Sequence, residues 1–203
     1  MTDKNVSIMN IGSMGYLPQV FKKIENEKKL NIVYLGGSIT MGCNATKTEL
    51  RYVDRSAKWW QTNFPDAEIS YFNAGIGATT SQFGVARVQE HVLDKQPDLV
   101  FVEFSVNDSS SPLFMETYES LVRRLLKAES VKAVVLINNL FYDTGTNAQG
   151  IHNAIGLHYD LPIVSVRNYI FPEIQLGNVC LADYTADMLH PTDLGHKMIA
   201  DLI

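Results

Sequence analysis

Short, almost continuously apolar segments alternate with longer amphipathic segments along most of this chain. The apolar segments are rich in Val, Ile and Phe and lie at residues 31–35, 68–73, 98–104, 133–138 and 162–166. The amphipathic segments repeat apolar residues three and four positions apart and lie at residues 16–28, 51–64, 81–95, 115–130, 148–159 and 191–203. Strands buried on both faces have this continuous apolar character, and helices connect such strands in parallel sheets. The alternation therefore predicts an α/β fold of three layers, α/β/α, around a five-stranded parallel sheet.

Length and composition indicate one domain over residues 1–203, with 46% hydrophobic and 19% charged residues. The net charge of −5 argues against nucleic acid as a partner, because phosphate binding needs a basic face. No apolar run is long enough to span a bilayer, and the N-terminal residues lack the apolar core of a signal peptide. We therefore expect no membrane association and a cytoplasmic location, with secretion as the alternative if a leader was removed. The oligomeric state stays open.

Three of the predicted strands end in residues that can carry chemistry. The first runs into Gly-Gly-Ser at residues 36–38, the second into Asn-Ala-Gly-Ile-Gly at residues 73–77, and the third into Val-Asn-Asp at residues 106–108. Parallel sheets bring the carboxyl ends of their strands together, and ligands bind at that edge. Far along the chain, Asp187 and His190 stand three residues apart. A serine, a histidine and an aspartate are the components of acyl-transfer catalysis.

In their order along the chain, these blocks resemble those of the SGNH (GDSL-type) hydrolase family. The matching blocks are residues 36–40, 73–77, 106–108 and 187–191. The resemblance implies the flavodoxin-like SGNH hydrolase fold in a single catalytic domain, and a serine esterase that needs neither a cofactor nor a metal ion. Bacterial relatives with Gly-Gly-Ser-Ile-Thr resemble carbohydrate esterases, which implies hydrolysis of a small acyl ester, acetyl in particular, on a carbohydrate.

The catalytic roles follow from the chemistry of three side chains. Ser38 is a weak nucleophile at neutral pH and needs an adjacent base. We expect His190 to be that base, because imidazole takes up and returns protons near pH 7. Asp187 is expected to fix the tautomer of His190 and to stabilise its charged form.

The resemblance also implies an oxyanion hole, the set of N–H donors that binds the negative oxygen of the tetrahedral intermediate. The family places these donors on the backbone of Ser38, on the backbone of Gly77 and on the side chain of Asn107. The spacing of the second block leaves Gly75 as the alternative to Gly77.

Two positions depart from the usual family pattern. Gly37 stands where the family carries Asp, and Ser105 stands where it carries Gly. In the family neither position supplies the nucleophile, the base or an oxyanion donor. The departures therefore bear on loop details and substrate range and leave the expected reaction unchanged.

The sequence leaves alternatives open for the identity of the substrate. The small residues Gly75, Gly77 and Ala78 beside the expected oxyanion hole predict a preference for acetyl over long acyl groups. A lipase or thioesterase of longer acyl chains is one alternative, and a non-catalytic carbohydrate-binding module on the same fold is another.

A metal site is the rival interpretation of the last block. Asp187, His190, Asp193 and His196 recur every three residues, as a stripe of ligands on one helix would. Pro191 argues against this stripe, because the residue before a proline is disfavoured in a helix and proline suits the first helical position. We therefore expect His190 to precede a helix.

The remaining histidines and the paired tryptophans are assigned to packing or to solvent. His91 falls within a helical pattern, while His152 and His158 lie in or near another. Of Trp59 and Trp60, at least one is expected to face the core, and sugar stacking by an exposed indole is the alternative.

Overall fold

One mixed sheet forms the middle layer of the computed structural model, which describes residues 3–12 and 15–203. Within those residues its strands are β1 (Ile8–Asn10), β2 (Lys29–Gly36), β3 (Glu68–Gly75), β4 (Leu99–Glu103), β5 (Ala133–Asn138) and β6 (Ile163–Ser165). Their spatial order is β1-β6-β5-β4-β2-β3. Strands β2 to β6 are parallel, and β1 pairs with β6 in the antiparallel sense.

The five predicted parallel strands are all present, and their order is that of flavodoxin-like sheets. The predicted count was wrong by one, because the structure adds β1 at the edge. This strand has only three residues, all at least partly exposed, so it lacks the continuous apolar run that marks the other strands.

The helices cover both faces of the sheet. They are α1 (Leu17–Glu27), α2 (Ser38–Met41), α3 (Tyr52–Asn63), α4 (Ser81–His91), α5 (Pro112–Leu126), α6 (Gln149–His158), α7 (Val166–Gln175), α8 (Leu181–Tyr184) and α9 (Asp193–Leu202). Short 3₁₀ turns lie at Lys4–Ser7, Thr48–Leu50 and Leu93–Lys95. Within the described ranges, no helix combines the length and the apolar character needed to cross a bilayer.

Six of these helices match predicted segments, whereas α7 and the four-residue helices α2 and α8 were not predicted. Helix α7 begins directly after β6, so its first apolar residues extend the strand pattern instead of starting a new one. It also contains Pro172, a residue that normally argues against a helix interior.

Alternate residues of the central strands point into two separate cores. Tyr34, Phe101 and Val135 belong to the core beneath α1, α3, α7 and α9. Leu35 and Val102 belong to the core on the opposite face, beneath α4, α5 and α6. The two cores make the sheet a rigid platform whose upper edge carries the site.

The order of the strands reverses at β2, which has β3 on one side and β4 on the other. The last residue of β2, Gly36, pairs with Gly75 of β3 and with Glu103 of β4. These three strands therefore end level with one another. Open α/β sheets bind their ligands in the crevice at such a reversal, and Ser38 and Asn107 follow two of the three strands directly.

Two glycines of α6 provide a matched test of this packing. An added Cβ at Gly156 would lie 2.6 Å from Ile163 Cδ1 and 2.8 Å from Leu136 Cδ1, whereas one at Gly150 would contact nothing within 4 Å. Overpacking costs about 1–3 kcal/mol, against about 1 kcal/mol gained in helix propensity, so we expect Gly156→Ala to lower the free energy of unfolding by about 1 kcal/mol. Gly150→Ala should raise it by about 0.5–1 kcal/mol in urea titrations. Equal shifts of the same sign would contradict the close approach of α6 to the sheet.

Candidate active site

Ser38 lies at the first turn beyond the carboxyl end of β2. It is the first residue of α2 and is 7% exposed. The Asn73 side chain donates a hydrogen bond of 2.8 Å to the Thr40 carbonyl and so ties the short helix to β3. As the first residue of a helix, Ser38 has a backbone N–H without an intrahelical acceptor.

A chain of two hydrogen bonds joins Ser38, His190 and Asp187. The distance from Ser38 Oγ to His190 Nε2 is 2.9 Å, and the distance from His190 Nδ1 to Asp187 Oδ2 is 2.7 Å. The other carboxylate oxygen of Asp187 accepts the backbone N–H groups of Leu189 at 3.1 Å and of His190 at 2.7 Å. The three-residue spacing therefore forms a local turn that holds both side chains on one side.

The surroundings of Asp187 keep its carboxylate ionised. Partial burial raises its pKa, but the hydrogen bonds from the His190 side chain and from the two backbone N–H groups outweigh burial and lower the pKa to about 2. The ionised Asp187 accepts a hydrogen bond from His190 Nδ1, which therefore carries the proton of the neutral ring. The lone pair of Nε2 is then directed at the hydroxyl of Ser38, as a general base requires.

Gly77, and not Gly75, has a backbone N–H that is free to bind an oxyanion. The N–H of Gly75 donates to Asn73 Oδ1 at 2.9 Å. The N–H of Gly77 meets no acceptor in the described part of the chain, and a Cβ built on Gly77 would lie 4.0 Å from Ser38 Cβ. Of the two glycines, Gly77 is thus the one whose N–H has no acceptor in the described structure.

The side chain of Asn107 lies against Gly37. A Cβ at position 37 would come within 2.5 Å of Asn107 Oδ1, so only glycine permits this approach. Within residues 3–12 and 15–203, the Asn107 side chain makes no hydrogen bond: its buried Oδ1 has no donor, and its Nδ2 donates to no acceptor. The Nδ2 group is therefore available to a ligand. The Asp-to-Gly departure at position 37 is therefore coupled to the position of an expected oxyanion donor.

At the other departure from the family pattern, Ser105 occupies a buried position, and its hydroxyl has a hydrogen-bond acceptor. Ser105 is fully buried, and its Oγ donates to the Asn139 carbonyl at 3.1 Å. Its own carbonyl accepts the N–H of Ala148 at 2.7 Å. The serine therefore links the end of β4 to the segments before α6.

The segment that carries His190 is fastened at several points. Thr185 and Pro191 form an isolated antiparallel bridge, and Thr185 Oγ1 donates to the His190 carbonyl at 2.9 Å. The Tyr142 N–H donates to the Met188 carbonyl at 2.8 Å. Met188 adopts a φ of +65°, a sparsely populated conformation for a residue with a side chain. Strained backbone of this kind concentrates at functional sites.

The rival metal stripe is not assembled. His196 is buried, with Nδ1 accepting the Tyr52 N–H at 3.3 Å and Nε2 facing the Cys43 carbonyl at 3.0 Å. The Asp193 carboxylate accepts the N–H and the hydroxyl of Thr46 at 2.8 and 2.6 Å. Within the described ranges, no three His, Cys, Asp or Glu side chains are grouped as metal ligands.

Among the residues assigned to packing, Trp60 and His152 are buried. Trp59 is 53% exposed and stands edge-on to Trp60, so the pair divides between core and surface as expected. His152 is paired with Asp108, a contact that the sequence did not predict. The two residues are 44 positions apart, and neither a spacing nor a motif signals their pairing.

The fold and this arrangement define a serine hydrolase of the SGNH type. Residues 34–198 match the GDSL-like Lipase/Acylhydrolase family, and the chain belongs to that family. The resemblance found in the sequence is thereby confirmed.

Several characterised esterases are similar to this chain. An acetylxylan esterase of Geobacillus stearothermophilus is 25% identical over 207 residues, which cover 88% of this chain and 93% of that protein. A two-domain esterase active on acetylated mannans, crystallised with mannopentaose, is 45% identical with a TM-score of 0.97. That match covers 100% of this chain and 55% of the esterase, so the chain spans about half of its length. These matches support the predicted class, a carboxylic ester hydrolase.

The contact between Gly37 and Asn107 yields a kinetic prediction. We expect Gly37→Ala to lower kcat on p-nitrophenyl acetate by about 10²-fold, because the new methyl group displaces an oxyanion donor. Gly150→Ala adds the same methyl group on the surface of α6 and should leave kcat unchanged. Full activity of Gly37→Ala would show that Asn107 is not held by this contact.

Proposed function

We propose that this protein is a serine esterase that removes acetyl groups from a carbohydrate, with acetylated mannan as the substrate class. The observation that carries the proposal is the hydrogen-bonded chain of Ser38, His190 and Asp187 beside three N–H donors without acceptors. Acyl transfer needs an activated nucleophile and prepositioned donors for the developing negative charge, and both are available at this edge of the sheet.

The proposed reaction has two steps. Ser38 Oγ attacks the acetyl carbonyl carbon while its proton passes to His190 Nε2. The carbonyl oxygen becomes negative and accepts hydrogen bonds from the backbone of Ser38 and Gly77 and from Asn107 Nδ2. The bond to the sugar oxygen then breaks, and His190 donates its proton to that oxygen, which leaves an acetyl group on Ser38.

Water completes the cycle by the same route. His190 takes a proton from the water as it attacks the acetyl carbon, and returns the proton to Ser38 Oγ as acetate leaves. Asp187 remains ionised throughout and stabilises the charged imidazole. Proton transfer and charge stabilisation are thus both supplied by side chains and backbone, so the proposed reaction requires neither a metal nor a cofactor.

Two features support a carbohydrate ester as the substrate. The side chains of Asp187 and His190 are 46% and 22% exposed, so the reacting groups lie close to the surface, where a bulky alcohol such as a polysaccharide can reach them. The esterase with 45% identity acts on acetylated mannans, and the relative with 25% identity is an acetylxylan esterase.

Longer acyl esters are the second candidate, and one observation favours them. Met41 and Met188 are each 41% exposed and adjoin the site, Met41 beside Gly77 and Met188 two residues before His190. Methionine side chains are flexible and apolar and adapt to varied apolar ligands. The length of the preferred acyl group therefore needs a direct test.

The nucleophile is tested by Ser38→Ala. We expect this variant to lose acetate release from acetylated mannan and from p-nitrophenyl acetate by at least about 10³-fold, with an unchanged melting temperature. A fluorophosphonate probe should label the wild type at Ser38, as located by peptide mass spectrometry. Ser110→Ala removes an exposed hydroxyl and serves as the control. Labelling at a serine other than Ser38 would refute the assignment.

A series of p-nitrophenyl esters from acetate to octanoate tests the acyl group. We expect kcat/KM to be highest for acetate, because the small residues Gly75, Gly77 and Ala78 offer added methylenes no fitted apolar pocket. Such a pocket would contribute roughly 1–3 kcal/mol per methylene. A steady rise toward octanoate would support the longer-chain alternative. Parallel assays on acetylated mannan and acetylated xylan compare the two carbohydrate classes.

A further inference from the structure

A second histidine–carboxylate pair lies beneath the proposed active site. His152 Nε2 is 3.0 Å from Asp108 Oδ2, and neither side chain has any exposed surface. Neither residue hydrogen-bonds to Ser38 or His190 in the described structure. The pair therefore takes no part in the proton transfers described above.

Asp108 joins the two segments that carry the expected oxyanion donors Gly77 and Asn107. It follows Asn107 directly in the chain, and both of their N–H groups donate to the Phe104 carbonyl. Its Oδ1 accepts the N–H of Ser81 at 2.9 Å. Ser81 is the first residue of α4 and ends the loop that contains Gly77. One carboxylate thus fixes the start of α4 relative to the segment that carries Asn107.

His152 is itself held rigidly on α6. Its ring stacks on that of Tyr118 from α5, with the centroids 3.6 Å apart and the planes 7° apart. Burial lowers the pKa of His152, although the hydrogen bond to Asp108 opposes this effect. The ring faces Asp108 Oδ2 through Nε2, and Nδ1 has no hydrogen-bond partner in the described structure. The ring therefore acts as a single fixed donor to the carboxylate.

We propose that His152 is a positioning residue for the oxyanion hole: by holding Asp108, it sets the spacing between the Gly77 N–H and Asn107 Nδ2. This inference rests on the proposed esterase function. Prepositioned donors stabilise the transition state only while they stay within a fraction of an ångström of their places. The Asp108 carboxylate is the shared anchor, and His152 is the side chain that fixes it from the sheet side.

Two substitutions separate the hydrogen bond from the ring stacking. His152→Phe keeps an aromatic ring against Tyr118 but removes the donor to Asp108. His152→Gln loses the stacking but keeps an amide N–H that can reach Asp108 Oδ2. We expect kcat on p-nitrophenyl acetate to fall by about 10-fold in His152→Phe and by less than about threefold in His152→Gln, with KM nearly unchanged in both.

A double-mutant cycle with Asn107→Ala measures whether the two substitutions affect kcat independently. A merely structural role of His152 would give independent effects. If His152 acts through the oxyanion donors, His152→Phe should lower kcat by less than about threefold when Asn107→Ala is already present. Ile155→Ala, which truncates another buried residue of α6, is the control for stability; it should lower the melting temperature without lowering kcat.

The outcomes distinguish a failure of the positioning role of His152 from a failure of the proposed esterase function. Equal losses of kcat from His152→Phe in both backgrounds, or an equal loss in Ile155→Ala, would overturn the positioning role. If His152→Phe fails to fold, a loss in His152→Gln as large as about 10-fold would also overturn it, because the donor is retained there. Ester hydrolysis that is absent from the wild type, or that persists in Ser38→Ala, would instead refute the proposed function itself.

Discussion

The backbone of the turn at Thr40 and Met41 lies directly against Gly75, so closely that a Cβ on Gly75 would overlap the Met41 amide nitrogen. A Cβ on Gly36 would likewise overlap the Thr40 side chain. Only glycine allows backbone segments to approach in this way. The two glycines let the ends of β2 and β3 carry the short helix α2 flat on the sheet, and the position of Ser38 relative to the Gly77 loop depends on that contact.

A buried arginine reinforces the same junction. Arg87 of α4 donates to the Ala74 carbonyl at 2.7 Å and to the Gly36 carbonyl at 3.1 Å. Burial lowers its pKa to about 10, which still leaves the guanidinium charged at neutral pH. Its donors match the outward carbonyls at the ends of two neighbouring strands. The result is a clamp across β2 and β3 just below the turn that bears the nucleophile.

Most of the fold, and the residues that meet at the candidate site, could be predicted from the sequence because they leave local signals. The parallel strands are continuously apolar, and the four motif blocks follow strand ends or precede a helix. The edge strand β1 and helix α7 leave weak or conflicting signals, since the first is short and the second contains Pro172. The pairing of Asp108 with His152 could not be predicted, because it depends on how α6 packs against the end of β4. The hydrogen bond from the Gly75 N–H to Asn73 Oδ1 could not be predicted either, because it depends on the local conformation at the end of β3.

The hydrogen bond between Ser38 and His190 joins residues 152 positions apart. Every parallel strand of the sheet precedes residue 166, so all five have been synthesised before His190 is added to a growing chain. Proteins are synthesised at about 5–20 residues per second, and domains fold as units once their residues are available. During that interval the Ser38 hydroxyl has no imidazole beside it, and its hydrogen bond to His190 can form only when the segment around Thr185 and Pro191 docks. The order of the motifs along the chain thus delays the pairing of Ser38 with His190 until all five parallel strands have been synthesised.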